Sequence, residues 1–132
     1  MAENQNPESA LRWKRTDDFR ELYCNNVRFE SSVWDVKALL GTLDQGNPDP
    51  TVHLPGVYFH TGVTMPWVQA KIALYNLYIA ILFHEQANGI VSVPDAVKPP
   101  TVAEVVPEFI KQPEGGEFAA KADAFRALIF GA

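Results

Sequence analysis

The sequence predicts a small α+β protein: an antiparallel β-meander of three to four strands packed by one long helix (about 66–88), then a Pro-rich strap and a short C-terminal helix. Apolar and polar residues alternate through the first half of the chain, and no helical segment interrupts them, which favours consecutive antiparallel strands. A long apolar segment follows, bounded by helix start and stop signals. With 132 residues, 47% of them hydrophobic, the chain suffices for one packed core.

Composition divides the chain into three parts. Residues 1–16 have no periodicity and are predicted to form a mobile N-terminal arm. Residues 17–92 are predicted to form the α+β core domain. Residues 93–132 hold the Pro-rich strap and the C-terminal helix, which we expect to pack on the core or on a partner.

The first two predicted strands follow from alternation on either side of a turn at Ser31-Ser32. The apolar positions of the first strand are Phe19, Tyr23, Val27 and Phe29, and those of the second are Trp34, Val36, Ala38 and Leu40. The second segment also fits a short helix through Val33, Val36, Leu39 or Leu40, and Leu43. We favour a strand because Val, Trp and Thr prefer a pleated surface.

A third extended segment, from Val52 to Met65, follows a loop at 44–50 that is rich in turn formers. It could also be two short strands broken at Pro55-Gly56. Five of its side chains are predicted to share one face: Val57, Phe59, Thr61, Val63 and Met65. Tyr58, His60, Gly62 and Thr64 are predicted to face the other way.

The long helix has clear boundaries in the sequence. Thr64-Met65-Pro66 is a start signal because proline fits the first helical turn, and Asn88-Gly89 is a stop signal because glycine readily adopts the left-handed conformation. Between Ile72 and Phe83 only Asn76 is not apolar, which is typical of a helix buried on more than one side. The large apolar residues of this helix are predicted to cover the sheet.

One stripe of this helix is small or neutral, and we refer to it as the α1 stripe. Its residues recur at spacings of four and three: Gln69, Ala73, Asn76, Ala80, Phe83 and Ala87. The stripe is either the solvent-facing side or an oligomer interface, in which small residues permit close helix approach and Asn76 fixes the register. We favour the interface because solvent-exposed helix surfaces usually carry Lys and Glu.

The distribution of charge supports burial of the middle of the chain. The net charge is −5, yet the 47 residues from Ala38 to His84 contain only three charged side chains. An acidic chain without a basic face is not expected to bind nucleic acid. No run approaches the roughly 20 apolar residues needed to cross a bilayer. With Cys24 as its only cysteine and no apolar leader, the protein is predicted to be cytoplasmic.

Two motifs resemble a family of short bacterial proteins of unknown function. The first is Tyr23-x-Asn25-Asn26-Val27-x-Phe29 followed by Trp34-Asp35, and the second is Thr61-x-x-Thr64-Met65-Pro66-x-x-x-Ala70-Lys71. The resemblance covers roughly residues 19–90 and implies the α+β fold without an assigned activity. A shorter segment, with Tyr23, Val27 and Phe29-Glu30, resembles the opening strand of SecB-like export chaperones, which implies an oligomeric holdase.

No catalytic, cofactor or metal site is predicted. His53, His60 and His84 lack metal-ligand spacing, and Cys24 has no activating neighbour. Gly115-Gly116 lies beside acidic residues in a predicted turn, which does not suit a phosphate loop. The basic run at 12–15 is read as part of the solvated arm.

These observations favour a non-enzymatic protein-interaction or assembly module that forms a homodimer or higher oligomer. A second protein partner could bind the C-terminal strap and helix, where Phe118, Ala122, Phe125 and Ile129 share one face. One alternative is a SecB-like holdase that binds unfolded chains. Another is a small-ligand carrier or enzyme with a pocket between sheet and strap, near Tyr58, His60 and His84.

Overall fold

The computed structural model describes residues 11–44, 56–108 and 111–131. Two compact units are present, the first ending at Leu74 and the second beginning at Tyr75. The predicted loop at 44–50 and the start of the third extended segment, including His53, lie largely outside the described residues, as does most of the N-terminal arm. Residues 11–16 of that arm are described and exposed.

The first unit is built on a three-stranded antiparallel meander, which confirms the predicted fold class. β1 (Asn26–Ser31), β2 (Asp35–Asp44) and β3 (Gly56–Pro66) lie in the order β1-β2-β3, so that β2 is central. Each strand pairs with its neighbour in sequence, as connections without a crossover helix require. Val36 and Ala38 of β2 are buried between the two outer strands.

β1 begins later than the alternation predicted. Its ladder starts at Asn25, whose backbone N–H donates to the Gly41 carbonyl at 3.1 Å. Phe19 follows a backbone turn at Thr16 and, like Tyr23, precedes the strand. The apolar alternation therefore continues through a segment whose backbone is not part of the sheet.

A β-bulge corrects the predicted face of β3. Leu40 pairs with Thr61 and the next residue, Gly41, pairs with Phe59, which leaves His60 as the extra residue. One extra residue reverses the side-chain alternation, so Phe59 does not share the face of Thr61 and Val63. A Cβ at position 41 would lie 2.5 Å from the Tyr58 carbonyl oxygen, so the bulge requires glycine there.

The predicted turn between β1 and β2 is present, and one serine, Ser32, stabilises it. The Ser32 hydroxyl accepts the backbone N–H groups of Trp34 and Asp35, both at 3.1 Å, and contacts the Asp35 carboxylate at 3.0 Å. The Trp67 indole N–H donates to the Ser32 carbonyl at 3.0 Å. This bond joins the turn to the first residue of the helix that follows β3.

Helix α1 (Trp67–Asn88) matches the predicted long helix to within one residue at its start. Pro66 is the last residue of β3, where it pairs with Asp35, and is not in the first helical turn. The predicted stop is confirmed: Gly89 has φ 89°, and its N–H donates to the Glu85 carbonyl at 2.8 Å. The unit boundary falls within this continuous helix.

The second unit combines the later part of α1 with the strap and α3 (Pro113–Phe130). The strap contains a 3₁₀ turn (Asp95–Val97) and a single-turn helix, α2 (Val102–Val105). α3 begins at Pro113, which fits the first helical turn, so the predicted turn at Gly115-Gly116 is wrong: both glycines lie within the helix, where Gly115 is buried. None of the helices in the described part of the chain has the length and apolarity to cross a bilayer.

Candidate functional site

One side of the later part of α1 packs within its own unit. Tyr78, Ile81 and Glu85 recur at helical spacing on this side and are half-buried. The Tyr78 and Phe125 rings are 6.3 Å apart and tilted by 54°, a favourable aromatic arrangement between α1 and α3. The Glu85 carboxylate accepts the Val91 N–H at 2.8 Å, which holds the chain where it leaves the helix. The C-terminal helix therefore has partners within this chain.

The opposite side of α1 exposes large apolar side chains. No residue of α1 is buried. We define the exposed α1 surface as the α1 stripe together with the adjoining exposed apolar residues Val68, Ile72, Tyr75 and Leu77. Phe83 is 69% exposed and Leu77 is 60% exposed. Burial of a side chain of this size stabilises a protein by about 1.5–3 kcal/mol relative to its exposure to water. Leaving several of them exposed on one helix is therefore unfavourable.

This exposed surface carries no formal charge. The charged residues of α1 are Lys71 and Glu85: Glu85 lies on the other side, whereas Lys71, one helical turn from Val68 and Tyr75, lies at the border of this surface. The α1 stripe is exposed apart from Ala73, which is half-buried. A large uncharged apolar surface of this kind is typical of a protein interface.

The sequence assigned the large apolar residues of α1 to the side that covers the sheet. Within the first unit, however, Ile72 and Leu74 are both exposed. The interface candidates thus extend beyond the predicted stripe to residues that flank it. The available signal was that α1 is apolar around almost its whole circumference, more than one buried face requires.

The sheet also exposes apolar side chains on one face. The register aligns Phe29, Ala38 and Val63 in one row across the three strands. Ala38, on the central strand, is 7% exposed, whereas Val63, on the outer strand, is 42% exposed. The outer strands therefore leave part of an apolar face uncovered.

His60 is held by hydrogen bonds within the first unit. Its Nε2 lies 3.0 Å from the Tyr23 carbonyl oxygen, which can only accept, so Nε2 carries the proton. In the neutral ring, Nδ1 then accepts the Thr61 hydroxyl at 2.7 Å. Both ring nitrogens are therefore bonded within the chain, and the bulged residue anchors the segment before β1.

The other candidate residues show no catalytic arrangement. His84, in the second unit, lies 3.4 Å through Nδ1 from the Asn88 side chain, and Cys24 is half-buried ahead of β1. Within the described ranges, no three His, Cys, Asp or Glu residues are grouped to hold a metal ion. The predicted pocket near Tyr58, His60 and His84 draws on both units and stays a prediction.

The second unit contains a cavity of about 410 Å³ between the end of α1, the strap and the end of α3. Two of its polar side chains are engaged by the chain itself: Glu85 accepts the Val91 N–H, and Lys98 pairs with Asp95 at 3.0 Å. In α3, the buried Asp123 Oδ1 has no hydrogen-bond partner among the described residues. Polar and apolar groups contribute about equally to the lining of this cavity.

Comparisons with protein-family models, curated proteins and solved structures find no match to the chain. The resemblances to the short bacterial family and to SecB therefore remain predictions.

Proposed function

We propose that this protein is a non-enzymatic assembly module that associates with copies of itself through the exposed α1 surface. The observation that carries the proposal is the combination of large, exposed apolar side chains with the absence of charge on one side of a 22-residue helix. Association would remove this surface from water, which is the main driving force for protein assembly.

The α1 stripe has a spacing that suits an antiparallel pair of identical helices. Its residues lie symmetrically in sequence before and after position 78. A two-fold axis that passes by the stripe at the level of position 78 therefore places Phe83 opposite Ala73 of the second copy. The same axis sets Asn76 opposite Ala80. Pairing large with small residues lets two helices interdigitate at close distance.

Matched substitutions on the two long helices test the proposal. Leu77 on α1 and Leu128 on α3 are 60% and 62% exposed, so neither is held in a buried core. We expect Leu77→Glu to weaken self-association by about 100-fold or more, since it would bury an unpaired carboxylate. Leu128→Glu should leave association unchanged.

Sedimentation velocity over a dilution series measures both variants against the unmodified chain. A monomer at every concentration of the unmodified chain would contradict the proposal. Equal weakening by Leu77→Glu and Leu128→Glu would also contradict it, because the effect would then not be specific to α1.

A holdase is the second candidate, because exposed apolar surface is also what binds unfolded chains. The two functions differ in whether the surface stays accessible after assembly. Fluorescence of a hydrophobic probe should fall as the concentration of an assembly module rises. If the fluorescence per chain stays constant in the oligomer and an unfolded substrate competes with the probe, the holdase is favoured.

A further inference from the structure

The cavity of the second unit lies where two helices end. α1 ends at Asn88 and α3 at Phe130, and residues from both last turns line the cavity, Glu85 from α1 and Leu128 to Phe130 from α3. The last carbonyl groups of a helix have no partner within the helix and form the negative end of its dipole. Neither last turn contains a basic residue that would balance this charge. The cavity therefore lies beside two partial negative charges.

Glu85 adds a full negative charge to the lining. The residue is half-buried, and its Oε2 accepts the Val91 N–H at 2.8 Å, which fixes the side chain. Its other oxygen, Oε1, has no hydrogen bond to any residue in the described part of the chain. A carboxylate in the last turn of a helix is unfavourable, because it adds to the negative end of the dipole. A bound cation would relieve this repulsion and use the remaining oxygen.

Lys98 is the positively charged residue among the described lining residues, and a different carboxylate holds it. Its Nζ lies 3.0 Å from Oδ1 of Asp95, in the same strap. The ion pairs of the described residues include none between Lys98 and Glu85. The chain therefore supplies no direct counter-ion for Glu85 at this cavity.

We propose that this cavity binds a small protonated amine that carries an apolar group. The Glu85 Oε1 accepts a hydrogen bond from the ammonium, and the ends of α1 and α3 stabilise its charge. The apolar group contacts the hydrophobic side chains of the lining, among them Ile90, Val93, Leu128 and Phe130. The volume of about 410 Å³ suits such a ligand, since small-molecule sites occupy about 300–1,000 Å³.

The amine site does not depend on self-association. Its lining residues all belong to the second unit, and Glu85 lies on the other side of α1 from the exposed α1 surface. Leu77→Glu, which should weaken association, should therefore leave amine binding unchanged. Failure of the amine site and failure of the α1 interface are thus measured separately.

Titration of the full-length chain with three matched probes tests the chemistry of the site. Phenethylamine is protonated at neutral pH, phenethyl alcohol is its neutral isostere, and hydrocinnamate is an anion of similar size. We expect phenethylamine to shift the amide NMR signals of Val91, Ser92 and Gly131 saturably, with a Kd of about 1 mM or tighter. Phenethyl alcohol should bind at least about tenfold more weakly, because it lacks the charge that Glu85 recognises, and hydrocinnamate should bind more weakly still.

Two substitutions in the lining should act in opposite directions. Glu85→Gln keeps an acceptor for the Val91 N–H and removes the charge, so phenethylamine should bind at least about tenfold more weakly while phenethyl alcohol is unaffected. Lys98→Met removes a like charge and should strengthen phenethylamine binding by about twofold to fivefold. The control, Glu114→Gln, removes an exposed carboxylate in the first turn of α3, outside the lining, and should change neither affinity.

Three outcomes would overturn the amine site. They are the absence of saturable shifts with phenethylamine, equal affinities for phenethylamine and phenethyl alcohol, and equal phenethylamine affinities of Glu85→Gln and the unmodified chain. The amide spectrum also shows whether Glu85→Gln has folded. If it has not, Lys98→Met decides: tighter phenethylamine binding supports the site, and unchanged or weaker binding contradicts it.

Discussion

The two long helices of this protein, α1 and α3, differ in the charge of the side chains that they expose to solvent. α3 buries small residues, Gly115 and Ala119, and exposes Glu114, Glu117 and Lys121 on its other side. Lys121 and Glu117 form an i,i+4 ion pair at 3.4 Å, typical of a solvated helix. α1 buries no residue completely and exposes an uncharged apolar side.

This difference is the basis of the proposed α1 interface. Both helices expose large apolar side chains, including Phe118 and Leu128 on α3, but on α3 these stand beside the charged residues Glu117 and Lys121, whereas the α1 stripe has no charged residue. The exposed side of α1 has the composition of a helix packed on two sides. We therefore infer that α1 acquires its second contact by association, and the following predictions test this contrast.

The largest effect is expected from Phe83→Glu, at the single aromatic residue of the α1 stripe, which is 69% exposed. A carboxylate would be buried without a partner in any α1 interface, so we expect no oligomer at accessible concentrations. Light scattering after size exclusion gives the mass. The control, Lys121→Glu on α3, changes the charge at an exposed position and should leave the oligomer mass unaltered. If both variants dissociate the oligomer, the interface is not specific to α1 and the proposal is wrong.

A pair of Ala→Leu substitutions separates folding from assembly. Ala119 is buried in α3, so Ala119→Leu should lower the free energy of unfolding by about 1–3 kcal/mol through overpacking. Ala80 is exposed in the single chain, so Ala80→Leu should leave the unfolding of the monomer unchanged and instead alter self-association. Urea unfolding at low and high protein concentration measures both; loss of monomer stability in Ala80→Leu would place Ala80 in an intramolecular core.

Asn76→Leu should have a smaller effect on the strength of association and a specific effect on its geometry. One polar residue in an apolar helix interface fixes the register at a cost in stability. We expect the variant to associate several-fold more tightly and to populate more than one oligomeric state, as seen by native mass spectrometry. Unchanged mass together with unchanged thermal stability would contradict the helix interface.

The smallest effect is expected on the solvated side of α3. Lys121→Ala removes an exposed ion pair, which should cost at most about 0.5 kcal/mol of unfolding free energy and become undetectable at high salt. Thermal unfolding at two salt concentrations measures this. A loss of oligomer would instead assign the exposed side of α3 to an interface.

Local signals predicted much of this fold. Asn88-Gly89 marked the end of α1 because the requirement of glycine for positive φ is local, and the serine turn before β2 was likewise local. The bulge at His60 could not be predicted, because the extra residue is defined by the register with Leu40 and Gly41. The apolar alternation also did not reveal that Tyr23 precedes the ladder.

The candidate interface was predicted in part. The stripe from Gln69 to Ala87 followed from helical periodicity, and the structure adds the exposed Ile72, Tyr75 and Leu77 beside it. Periodicity alone could not separate them from sheet-facing residues, because α1 is apolar in nearly every direction. Which side of such a helix is left uncovered depends on the rest of the chain.

The consecutive pairing of the three strands also has a kinetic consequence. β1 and β2 meet across a short turn and β3 pairs next to β2, so the contacts of the sheet close small loops and should form early. During synthesis the sheet can form before the later part of α1 and α3 have emerged. Refolding should therefore show a fast phase that is independent of protein concentration, and the proposed self-association would add a later bimolecular phase that becomes faster as the concentration rises.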